Sequence, residues 1–75
     1  DEHSIVEIVA SKRLAGRTIL DLNIRAKFGI TIVAIKRGMD IIVSPQADTM
    51  IYENDVLIVI GEVADINRFE EKVME

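Results

Sequence analysis

Seventy-five residues hold one hydrophobic core and leave no room for a cleft between domains, and a chain this short buries only about 60 to 65 per cent of its unfolded surface, so a partner would steady it. Apolar residues make up 49% of the chain but aromatic ones only 4%, which puts the core in the hands of Ile, Val, Leu and Ala and favours strands. A net charge of -4 with scattered basic residues argues against non-specific nucleic-acid binding, the absence of Cys excludes disulfides, zinc ribbons and thiol chemistry, and no apolar run approaches the roughly 18 residues that cross a bilayer.

Ser4 to Ala10 alternates as a strand, with Val6 and Ile8 on one side and Ile5, Glu7 and Val9 on the other. Ser11 to Gly16 is a connection. Thr18 stands three residues before Asp21 in a weak capping box, so a short helix begins there, with Ile19, Leu22 and Ala26 spaced to pack on a sheet and a break expected near Asn23. Asn23 to Phe28 reads as a further helical turn that Gly29 stops.

Ile30 to Lys36 is a second strand that is apolar on both sides, which predicts cover from outside the chain, a second copy being the natural candidate. Arg37 and Gly38 turn it into a third strand, Asp40 to Ser44, which Pro45 ends. Met50 to Tyr52 is expected to add a short rung, and Glu53 to Asp55 to turn the chain into a central fourth strand, Val56 to Ile60, closed by Gly61. From Asp65 onward Ile66, Phe69 and Val73 recur at helical spacing, with Lys72 near the end. These elements add up to a β-rich globular domain of four to five strands, with short helices that can shield one face. The chain opens on Asp1 and ends within a helix, which reads as a domain excised from a longer protein, intracellular by default.

The residues point to binding rather than catalysis. The single His, His3, lies at the start of the chain with no nucleophile beside it, no cluster of metal ligands is spaced for a site, and the four glycines form no phosphate-cradling loop. Arg25 beside Ile24, Phe28 and Ile30 could set a forked cation at the edge of an apolar slot. Bases would lie on Ile24, Phe28 and Pro45, a phosphate would meet Arg25, and Thr31 or Asn23 would read a base edge. On spacing alone the plainer reading is favoured, in which Phe28 and the isoleucines are core and Arg25 pairs with Asp21 on a helix.

The ordered segments GRTILDLNIRAKFGITIVAIKRG, the rung ending in Ser44 and Pro45, and ADTMIYENDVLIVIG resemble the C-terminal lobe of the regulator-of-conductance-of-potassium domain, also called the TrkA C-terminal domain. The wording is most similar to its KtrA branch, cytosolic subunits of bacterial potassium uptake systems. The resemblance implies a small dimeric α+β lobe, a mostly antiparallel sheet of four to five strands with short helices on one face and a C-terminal helix, joined to an N-terminal nucleotide-binding lobe, held in the cytoplasm at the inner face of the membrane through a channel or transporter subunit, with no nucleic-acid partner and no enzymatic activity. It implies cyclic di-AMP as the ligand, bound at the two-fold axis by Ile24, Arg25, Phe28, Ile30, Thr31 and Pro45 of both chains and inactivating transport, with Ile19 and Asn23 completing the candidate set. The sequence departs from the family at Asn54, where a Gly is usual, and at Thr31, where relatives carry Asn. Two rivals remain at this point: a dimerisation module that binds nothing, and a lobe of another cation transporter that reads a different ligand.

Overall fold

The computed structural model describes residues 2–73. Four strands form one antiparallel sheet in the order β1-β4-β2-β3, with β1 His3–Val9, β2 Thr31–Arg37, β3 Asp40–Val43 and β4 Val56–Glu62. Three helices, α1 Ile19–Leu22, α2 Ile24–Phe28 and α3 Val63–Val73, complete the α+β architecture. The aliphatic strand β4 is central as its composition predicts, paired to β1 on one side and β2 on the other.

The register sorts the side chains. Val6 and Ile8 pair with Val59 and Leu57, which in turn pair with Ile32 and Ile35, and this row forms the inner face. Onto it pack Ile66, Phe69 and Val73 from α3 together with Ile24, Ile30 and Ile51, in one core. Such burial of aliphatic and aromatic side chains contributes about 1.5–3 kcal/mol for each. Glu7 and Lys36 form an ion pair of 3.4 Å on the outer face, across β4.

Three expectations need correction. The unbroken apolar run of the second strand is reconciled by a bulge between Ile32 and Ala34, which turns both Ile32 and Ile35 inward, so alternation fails through an extra residue and not through equal burial of both faces. Met50 makes only an isolated bridge with Thr18, so among the described residues the sheet has four strands and no fifth. Finally, Ile24 and not Ala26 is the buried residue of the helical corner, because Asn23 adopts the left-handed conformation (φ 50°) and rotates α2 relative to α1.

One glycine is required by packing. A Cβ on Gly61 would lie 2.7 Å from Cγ2 of Ile30, which has no exposed surface, so the bare backbone of β4 is what lets the chain enter β2 at that height. Asn54 takes φ 75° in the turn before β4, a left-handed conformation that Asn tolerates better than most residues.

Candidate functional site

The corner of α1 and α2 carries most of the candidate residues, and its shape is written in local hydrogen bonds. Thr18 Oγ1 accepts from the Asp21 amide at 3.1 Å while the Thr18 amide donates to Asp21 Oδ2 at 3.3 Å, a reciprocal cap that starts α1. Asn23 then closes α1, its amide donating to the carbonyls of Ile19 and Leu20, and opens α2 in the same residue. Gly29, at φ 75°, ends α2 with its amide on the Arg25 carbonyl.

A second segment, 46–51, runs alongside. The amides of Ile19 and Leu20 donate to the carbonyls of Thr49 and Ala47, and the Ile51 amide donates back to Arg17. This segment is pinned from the far side by Arg37, whose guanidinium donates to Asp55 Oδ1 at 3.0 Å, to Asp55 Oδ2 at 2.9 Å and to the Met50 carbonyl, while stacking 4.4 Å from the Tyr52 ring centroid. Asp55 is buried and also accepts from the Tyr52 amide. These bonds, that from Arg37 foremost, hold its carboxyl below the usual carboxylate range against the opposing effect of burial.

Between the corner, the start of β2 and segment 46–51 lies a groove of about 300 Å³. Ile19, Asn23, Ile24, Arg25, Ile30, Thr31 and Pro45 all line it, joined by Leu20, Ile32 and Ala47, which the sequence did not single out. Leu20 is 67% exposed at the groove, and the Leu20–Ala47 hydrogen bond places both residues there; that bond joins residues too distant in sequence for periodicity to reveal.

Arg25 is the single charged residue of the lining, and it makes no ion pair with Asp21 or with any other described residue. The plainer reading of Arg25 as half of a helical ion pair is therefore not what the structure displays. Phe28 is the exception among the candidates. Its ring faces α3, edge-to-face with Phe69 at 5.4 Å between centroids and 5.5 Å from the Arg68 guanidinium, and it does not line the groove. Phe28 stands four residues after the buried Ile24, on the same face of α2, and so follows Ile24 toward the core and α3.

The arrangement is a mostly apolar trough with a free cation, an amide side chain and a hydroxyl. It suits a flat, anionic ligand. Among the described residues no group of His, Asp or Glu could hold a metal ion, and no helix is long and apolar enough to cross a membrane.

Residues 3–74 match the TrkA-C domain family. The chain belongs to that family. This TrkA-C domain is 65% identical over 74 residues to Ktr system potassium uptake protein C of Bacillus subtilis, covering 99% of the chain but 34% of that protein, so it spans about a third of the length of this relative. The KtrA C domain, solved in complex with cyclic diadenosine monophosphate, superposes with a TM-score of 0.92 at 50% identity, over 96% of this chain and 85% of that one. A dimer of the RCK_C domain of S. agalactiae BusR, also in complex with cyclic di-AMP, superposes with a TM-score of 0.81 at 30% identity, over 91% of this chain and 86% of that one.

Proposed function

We propose that this TrkA-C domain is the ligand-sensing part of a bacterial potassium uptake system, and that it binds cyclic di-AMP in the α1–α2 groove across a homodimer. The observation that carries the proposal is the gathering of Ile19, Asn23, Ile24, Arg25, Ile30, Thr31 and Pro45 around one trough whose cation is unpaired among the described residues. The bound ligands of the two related domains support it. In this reading Arg25 meets a phosphate, the adenines rest on Ile19, Leu20 and Pro45 with the buried Ile24 and Ile30 beneath, and Asn23 or Thr31 meets a base edge. Phe28 stays in the α2–α3 contact and buttresses the corner from behind.

The chain acts as a regulator and not as an enzyme, residing in the cytoplasm against a membrane-embedded transporter subunit. Ligand binding inactivates transport only if the two arrangements of the dimer contact it unequally, because a ligand shifts an equilibrium by its difference in affinity for the two states. Isothermal titration of Arg25→Ala is the test: loss of a charge-assisted phosphate bond weakens binding of cyclic di-AMP by about 1.5–3 kcal/mol. Unchanged affinity would remove Arg25 from the site.

A further inference from the structure

The helical corner has a second side. There, between α1–α2 and α3, lies another groove of about 300 Å³, walled by Arg17, Lys27 and Lys72 over a floor that includes Leu22, Phe28 and Phe69. Ile24 lines both grooves, so the corner is a partition between them. Arg13 also borders the second groove, and with it four of the chain's nine basic residues stand around one cavity.

Charge and shape set what could occupy it. The chain as a whole carries -4, yet the single acid in this lining is Asp21, one of whose oxygens already accepts from the Thr18 amide. The side chains of Arg17, Lys27 and Lys72 have no hydrogen bond or ion pair with any described residue. Leu22 and Phe28 are only partly buried, so apolar surface remains open beneath these cations.

We infer that this groove is a docking site for an acidic peptide segment of a partner protein, anchored by one or two apolar side chains on Leu22 and Phe28. Inorganic phosphate would gain nothing from an apolar floor. A membrane surface is planar and is met by projecting side chains, whereas the apolar residues here are recessed between helices. The cavity is at the small end of the range of ligand pockets, about 300–1,000 Å³, which fits a pair of anchoring side chains and not a whole helix. Carboxylates flanking the anchors would meet cations contributed by α2, α3 and the segment before α1, so the match is one of charge pattern with a desolvated centre. The site is independent of the cyclic di-AMP reading and survives its failure.

The experiment uses fluorescence anisotropy with a short labelled glutamate-rich peptide carrying two Phe four residues apart, a second peptide with both Phe replaced by Ser, and vesicles of phosphatidylglycerol. The Phe peptide binds the chain, its Ser counterpart binds several-fold more weakly, and Arg17→Gln with Lys72→Gln weakens the Phe peptide by about tenfold. Cyclic di-AMP affinity serves as the separate readout of the first groove, and a thermal melt confirms that the double variant is folded. The two peptides on the unmodified chain decide the matter even if the variant fails to fold. Equal binding of the two peptides, no binding of either, an unaltered affinity in the folded double variant, or tighter binding of the vesicles would each overturn the inference.

Discussion

The Asp55 carboxylate ties the end of β2 to the turn that precedes β4. It is buried, it receives two bonds from Arg37 and one from the Tyr52 amide, and through Arg37 it reaches the Met50 carbonyl and hence the segment that flanks the candidate site. Replacing it by Ala leaves the guanidinium without its partner and is expected to cost about 2–3 kcal/mol, less than for a fully buried pair because Arg37 is 35% exposed. Denaturant unfolding at neutral pH measures this loss.

The pH dependence has a fixed sign. A carboxyl held below its usual range when folded contributes its full stabilisation above the ordinary carboxylate value, about 3.9, and loses it as pH falls through the folded value. Acid unfolding should therefore be steeper in the parent chain than in Asp55→Asn, as followed by circular dichroism. Gly61→Ala makes a different kind of test, since the added methyl meets Ile30 and should destabilise by about 1–3 kcal/mol, with a lowered melting temperature. Neither role is legible in the sequence. Asp55 and Arg37 each read as turn residues, and the pairing of residues 18 positions apart leaves no periodic trace.

At the scale of elements, the α1–α2 corner depends on capping more than on helix length. Its helices have four and five residues, too few to be stable without tertiary support. Thr18→Ala removes the side-chain half of the reciprocal cap and should cost about 1 kcal/mol, with a measurable loss of cyclic di-AMP affinity because Ile19 and Leu20 lie at the groove. Thr18→Ser is the control that keeps the hydroxyl.

The elements themselves were well announced by their residues. The alternation of β1, the aliphatic run of β4, the Arg37–Gly38 turn and the spacing of Ile66, Phe69 and Val73 each give the correct element with ends displaced by no more than two residues. The break at Asn23 is also visible, but its consequence is not, because a left-handed residue redirects every side chain after it. The bulge in β2 is hidden for a related reason. A run of Ile, Thr, Ile, Val, Ala and Ile carries no sign of where an extra residue is inserted, and only the pairing with β4 supplies it.

At the scale of the whole molecule, the helices and segment 46–51 all gather on the inner face, and the outer side of the sheet retains Ile5, Val9, Ile41 and Val43 at 59–72% exposure. That much open apolar surface, with Leu20 exposed at the groove, favours association of two copies. Sedimentation equilibrium at micromolar concentration is expected to give the mass of two 8.4 kDa chains. The candidate site was legible largely through the family resemblance, which brought Ile19 and Asn23 to Thr31 and Pro45 together. That Phe28 packs on Phe69 of α3 is not visible in the sequence because the two rings are far apart along the chain, and the second groove is hidden because its cations come from separate elements.

The most direct measurement is a titration of the ¹⁵N-labelled chain with cyclic di-AMP, followed amide by amide. Shifts centred on Ile19, Asn23, Arg25 and Thr31 that saturate at about one ligand for two chains are expected. Shifts centred instead on Lys27, Phe28 and Lys72, or none at a saturating excess of ligand, would contradict the proposed binding.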